Sequence, residues 1–111
     1  MNITNFIQFK EIDFEASNGE GRVSTLHTDV NLIAKPFNSS NEKAPTHRLF
    51  GKSPAGYEIE IGGIWKKKNL QGGDYYTLSI PAMNFNANLG RYPNQEDESL
   101  QAIIEWAPQT L

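Results

Sequence analysis

The run Tyr57-Glu58-Ile59-Glu60-Ile61-Gly62-Gly63-Ile64-Trp65-Lys66-Lys67-Lys68 and the run Tyr75-Tyr76-Thr77-Leu78-Ser79-Ile80 are joined by a turn at Gln71-Gly72-Gly73-Asp74. Apolar residues recur in both with a period of two. Tyr57, Ile59 and Ile61 fall on one side of the first run, opposite Glu58 and Glu60; Tyr76, Leu78 and Ile80 share a side of the second, opposite Tyr75, Thr77 and Ser79. Successive side chains of a strand point to opposite faces, so the pattern predicts a hairpin whose tyrosine, isoleucine and leucine set faces inward. The glycine pair complicates the first strand. Strict alternation from Ile61 turns Gly63 and Trp65 inward and leaves Ile64 in water beside three lysines. A bulge at Gly62-Gly63 moves the phase by one residue, so that Ile64 turns in and Trp65 turns out.

The same period continues on either side of this hairpin. Upstream, Leu26, Val30, Leu32 and Ala34 alternate with His27, Asp29, Asn31 and Lys35 until Pro36 ends the strand. Short strands are expected at Ile3 to Lys10 and at Arg48–Phe50, with turns at Asn18 to Gly21 and at Ser53-Pro54-Ala55-Gly56. Downstream, Met83 to Leu89 alternates fully with Asn84, Asn86 and Asn88 outward, and Leu100, Ala102, Ile104 and Trp106 alternate with Gln101, Ile103 and Glu105. Asp97 to Trp106 tolerates helix, but Ile103-Ile104 and Trp106 favour strand. The expected fold is therefore all-β over residues 1–111 as one domain. It is a single curved antiparallel sheet or a small open barrel of six to seven strands, in the manner of an oligonucleotide-binding fold.

Composition narrows the function. The chain has 111 residues and no cysteine, which excludes disulfides, thiolate metal sites and cysteine nucleophiles. Its apolar runs are only a few residues long, and Met1 leads into a polar stretch, so neither a membrane span nor a secretion signal is expected and the cytoplasm is the default compartment. His27 and His47 are twenty residues apart with no acidic pair at ligand spacing. No metal and no cofactor are expected, and His47 reads as a surface residue near Pro45. Serines sit mainly in turns, without a nucleophile motif. Glu58 and Glu60, about 7 Å apart on one strand face, could serve glycoside chemistry but are explained by a half-exposed strand. No catalytic residue is assigned and no enzyme activity is expected.

Charge is unevenly spread. Residues 1–34 carry five acids and two bases, 35–68 carry seven bases and three acids, and 69–111 carry five acids and one base. A basic middle third between acidic flanks either pairs with those flanks in the fold or presents a local surface for phosphates. The second possibility has a concrete form. Trp65, Lys66, Lys67 and Lys68 run off a strand end, Tyr75 lies on the outer face of the partner strand, and Arg48 comes from the strand before. Cations that track phosphates beside aromatic faces that stack bases are the recipe for single-stranded nucleic-acid binding. The competing reading makes Trp65, Tyr75 and Phe50 core residues and the lysines a solubilising hairpin tip.

Three blocks point to a family. Ala44-Pro45-Thr46-His47-Arg48-Leu49-Phe50, Glu60-Ile61-Gly62-Gly63-Ile64-Trp65-Lys66-Lys67 and Gly73-Asp74-Tyr75-Tyr76-Thr77-Leu78 resemble, in order, the blocks of the domain of unknown function 736 family. Gly21 to Phe37 is similar to that family's first long strand, so the resemblance covers roughly residues 21–106; Ser53–Gly56 and Asn84–Asn88 depart from the usual pattern. The resemblance implies a small protein of plasmids and integrative conjugative elements, without a defined activity and with no catalytic residue to carry over. The expected function is a non-enzymatic accessory protein of a mobile genetic element that binds single-stranded nucleic acid. Arg48, Lys66, Lys67 and Lys68 would neutralise phosphates, and Trp65 and Tyr75 would stack. The alternative is a protein–protein interaction module or inhibitor, acting on a host or element-encoded protein, whose acidic Glu96–Glu98 loop mimics DNA.

Overall fold

A computed structural model describes residues 5–26, 29–41, 43–90 and 98–106. Eight antiparallel strands form a closed barrel: β1 (Phe6–Phe9), β2 (Gly19–Ser24), β3 (Asp29–Pro36), β4 (His47–Lys52), β5 (Glu58–Lys68), β6 (Asp74–Ile80), β7 (Phe85–Gly90) and β8 (Leu100–Glu105). Every strand pairs with its neighbours in sequence, and β1 pairs with β8 to close the ring. The expectation of an open sheet of six or seven strands is corrected on both counts. The meander also differs from an oligonucleotide-binding fold, which is a five-stranded Greek-key barrel. Closure removes the free edges that an open sheet would leave to other chains. Among the described residues no helix is long and apolar enough to cross a membrane.

The period of two builds the core. Ile7, Phe9, Val23, Leu32, Ala34, Leu49, Ile64, Leu78, Ile80, Phe85, Ala87 and Ile103 are buried inside the barrel and form one cluster. Each buried leucine or isoleucine contributes about 1.5–3 kcal/mol relative to an exposed one. Two glycines permit the tight coiling. A Cβ on Gly21 would collide with the Phe6 carbonyl, and one on Gly62 with the Ser79 carbonyl, so neighbouring backbones approach there as no other residue allows.

The bulge is present, one residue before its expected place. Leu49 faces Gly62 but Phe50 faces Glu60, so Ile61 is the extra residue on β5. Its consequence for phase is the expected one: Ile64 is fully buried and Trp65 stands on the outer face. Tyr57 and Ile59, expected inward, are exposed. Ile59 lies in, and Tyr57 just before, the first part of β5, which pairs only with β4 because β6 joins from Gly63 onward, so that end of the hairpin projects beyond the opposing wall. Leu26 is exposed ahead of a strand that starts at Asp29. In β8 Ala102 is buried as expected and the core takes Ile103, while Ile104 and, just past the strand, Trp106 are exposed.

His47 is the largest correction, since it is buried rather than on the surface. The 3-10 turn Phe14–Ala16 between β1 and β2 crosses one end of the barrel. His47 Nε2 donates to the carbonyls of Phe14 (2.9 Å) and Ser17 (3.2 Å), and Nδ1 lies 3.0 Å from Thr46 Oγ1. Burial pushes the imidazole pKa down from its usual 6.5, against the opposing pull of those two carbonyls and of Glu15. The Phe14 ring packs on Phe9 and edge-on to Tyr76.

Candidate nucleic-acid interface

Alternation along β5 divides the lysine run. Lys66 pairs across the strand with Tyr76 and Lys68 with Asp74, on the side that leads into the barrel, whereas Lys67 pairs with Tyr75 and Trp65 with Thr77 on the outer side. Lys66 Nζ lies 3.2 Å from Glu15 and 3.6 Å from Asp74; Lys68 Nζ lies 3.8 Å from Asp74. The hydrogen bond and charge of Glu15 hold the Lys66 ammonium above its ordinary pKa. The Tyr76 hydroxyl is raised too, first by burial and then by Glu15. These groups fasten the 3-10 turn over the barrel end. In this region the acidic flanks do pair with the basic middle.

Arg48 also has other work. Its guanidinium stacks 4.5 Å over the Phe37 ring, and its Nε lies 3.4 Å from Glu60. Glu58 accepts from Lys35 at 3.1 Å. Both carboxylates weighed for glycoside chemistry are thus held by bases. Phe50 lies half-buried under the Lys35 ammonium, 4.9 Å from the ring centre. Of the acidic Glu96–Glu98 loop, Glu98 is exposed and the other two residues lie outside the described ones.

Trp65, Lys67 and Tyr75 remain together on the outer face, and the fold adds partners to them. The register of β5 to β8 lays out one row, Trp65–Thr77–Asn88–Ile104, and beside it Gly63–Ser79–Asn86, with the Trp106 N–H donating to the Asn86 carbonyl at 3.0 Å. A groove of about 810 Å³ runs over these rows, lined by Lys43, Trp65, Tyr75, Asn86 and Trp106 and bordered by all three of Lys66, Lys67 and Lys68. The six-membered ring of Trp65 lies on Gly63: a Cβ there would stand 2.9 Å from Cη2. Its indole N–H donates to the Lys43 carbonyl at 3.2 Å. Trp106 is 51% exposed, and its indole N–H donates to Asn88 Oδ1 at 2.9 Å. Both rings are therefore fixed through their N–H groups. Tyr75 is exposed. Among the described residues, neither Lys43 nor Lys67 stands in an ion pair, unlike Lys66 and Lys68.

Sequence reading missed Lys43, Thr77, Ser79, Asn86, Asn88 and Trp106 as members of this surface. The outward asparagines of Asn84–Asn88 were a usable signal, in part: Asn84 is left-handed (φ 52°) and precedes β7, but Asn86 and Asn88 do face out. Only the β7–β8 pairing brings Trp106 to them, across a loop whose length says nothing of register.

A small closed meander barrel, with an aromatic and amide platform on one outer wall, is the class of protein these features define. The chain belongs to the domain of unknown function 736 family, a family of proteins of unknown function whose model matches residues 7–109. No curated protein and no solved structure matches the chain.

Proposed function

We propose that this chain binds single-stranded nucleic acid, without catalysing a reaction, across the outer wall of β5 to β8. The observation that carries the reading is the meeting of two indoles held through their N–H groups, Trp65 and Trp106, with two cations, Lys43 and Lys67, that stand in no ion pair among the described residues, along one groove. Unpaired bases offer their faces to such rings at about 1–3 kcal/mol each, and the lysines follow the phosphates. A duplex would keep its bases stacked on one another and gain only the phosphate term. The mobile-element setting implied by the family resemblance is part of this proposal. Of the site residues expected from sequence, Trp65, Lys67 and Tyr75 carry it; Lys66 and Lys68 border the same groove while paired with acids, and Arg48 is engaged by Glu60 and Phe37.

The test is titration of intrinsic tryptophan fluorescence with a ten-nucleotide single strand and with the matching duplex at two salt concentrations. Quenching by the single strand is expected, with a logarithmic salt slope of about −1.4 for two phosphate contacts. Absence of quenching by the single strand at low salt, with the barrel folded, refutes the reading.

A further inference from the structure

Closure of the barrel leaves one arm outside it. Pairing of β3 with β4 ends at Ile33 and Phe50, and pairing of β5 with β6 ends at Gly63 and Ser79. Beyond those points β4 and β5 pair only with each other, Gly51 with Ile59 and Lys52 with Glu58. Pro81 follows β6 directly and has no N–H with which to extend it along β5. The tip of the arm is well fixed. The Ser53 N–H donates to the Tyr57 carbonyl at 2.8 Å, and the Tyr57 N–H donates to the Ser53 hydroxyl at 3.2 Å. That first bond also sets which backbone groups the arm uses. Hydrogen-bonded and non-hydrogen-bonded pairs alternate along an antiparallel ladder, so Ile59 bonds back to Gly51. The N–H and C=O groups of Glu58 and Glu60 then point away from β4, where no strand of the described residues pairs with them.

We infer that this arm is a dimerisation edge, on which a second copy of the chain lays the same strand antiparallel about a two-fold axis at Ile59; the inference is independent of the nucleic-acid reading. The residues on the edge fit that occupant. Tyr57-Glu58-Ile59-Glu60-Ile61 reads the same by residue class in either direction from Ile59, as a strand that pairs with itself must. In this register Glu58 exchanges backbone bonds with the partner's Glu60, and Ile59 faces the partner's Ile59. Tyr57 then lies against the partner's Ile61, so every apolar side chain falls on one face. Tyr57 is 73% exposed and Ile59 49%, and the contact covers both. A slip of one residue sets apolar against acid throughout. Carboxylates opposed across a ladder repel. Here each arrives with its own base, Lys35 Nζ at 3.1 Å from Glu58 and Arg48 Nε at 3.4 Å from Glu60. An edge this short buries less than the roughly 800 Å² per partner of a standard interface, so the dimer is weak and forms at high concentration.

The experiment is sedimentation velocity of the full chain from about 1 μM to about 1 mM. The weight-average mass is expected to rise with concentration towards twice that of the chain. Ile59→Lys sets two ammonium groups against each other on the axis and is expected to abolish the rise. The chain has no cysteine, so a single introduced thiol reports the register. The Ile59 pair is non-hydrogen-bonded, with Cα atoms about 4.5 Å apart and within disulfide reach. Ile59→Cys is therefore expected to form a disulfide-linked dimer under mild oxidation. Tyr57→Cys places its thiol at the more exposed position but about 14 Å from its counterpart, and is expected to crosslink far more slowly. Random collision would favour position 57. The cysteine pair carries the test should the lysine variant fail to fold. A monomer at every concentration, a dimer indifferent to Ile59→Lys, or crosslinking no faster at position 59 than at 57 overturns the inference.

Discussion

The two sides of the β5–β6 hairpin use the same residue types for opposite ends. On the side leading into the barrel, Lys66, Lys68 and Tyr76 are engaged by Glu15 and Asp74 and hold a turn over the barrel end. On the other side, one residue away along the chain, Lys67 and Tyr75 face solvent next to Trp65. Three consecutive lysines are therefore not equivalent, although all three border the groove. A strand separates alternate charges onto opposite faces, and what each face meets decides whether a lysine closes the fold or stays available to a ligand. Exposed pairs such as these contribute little individually, and their value lies in fixing where the Phe14–Ala16 turn rests.

Adjacent glycines sharpen the contrast most strongly. Gly62 belongs to the inner side and is opposed by the Ser79 backbone, which cannot yield as a side chain can. Gly62→Ala is expected to cost about 3 kcal/mol or more, read as a lowered urea midpoint, because closing the barrel there requires a backbone shift. At Gly63 the nearest obstacle is the Trp65 ring, with Cη2 at 2.9 Å, ahead of the His47 backbone carbonyl at 3.2 Å. Gly63→Ala is expected to leave the barrel folded, lift the indole from its seat, alter its emission and weaken single-strand binding by about tenfold, within the range of one lost stacking contact. Equal stability losses in the two variants would mean that the outer wall is as rigidly determined as the inner one.

A smaller effect concerns the inner side alone. His47 is held neutral by burial, with its pKa below the usual 6.5. The unfolded chain takes up that proton near pH 6.5 while the folded chain resists it. Stability is thus fully present above pH 6.5 and declines as pH falls below it, until the folded pKa is reached. Thermal melting between pH 7.5 and 5 is expected to show this decline in the unmodified protein and not in His47→Gln, which keeps a donor for the Phe14 and Ser17 carbonyls but does not titrate. Parallel curves for the two proteins would remove His47 from the pH response.

The hairpin, the phase change that turns Trp65 outward and most of the core were legible in the sequence because each depends on period-two alternation and a glycine pair, both local. What was not legible depends on closure. Nothing in Leu100 to Glu105 says that Ile103 rather than Ile104 meets Leu89, since both are isoleucine and the preceding loop fixes no register. His47 looked like a surface residue because its partners, two backbone carbonyls about thirty residues upstream, have no sequence signature. The candidate site divides in the same way. Trp65, Lys67 and Tyr75 were visible as a basic-aromatic hairpin, and Trp106 with its asparagines joins them only through pairing across four strands.

The finest division lies between Lys67 and Lys66, which differ by one position and by everything they touch. If ion pairing withholds a cation from a ligand, Lys67→Ala should weaken single-strand binding several-fold and reduce the logarithmic salt slope by about 0.7, the contribution of one phosphate contact, with thermal stability nearly unchanged. Lys66→Ala removes the ammonium that sits 3.2 Å from Glu15, so it should loosen the Phe14–Ala16 turn and leave the salt slope as it was. Measuring both quantities on both variants separates the cases. A drop in slope for Lys66→Ala would mean that Glu15 and Asp74 release the lysine when a phosphate approaches, and the two sides of the hairpin would then act as one surface after all.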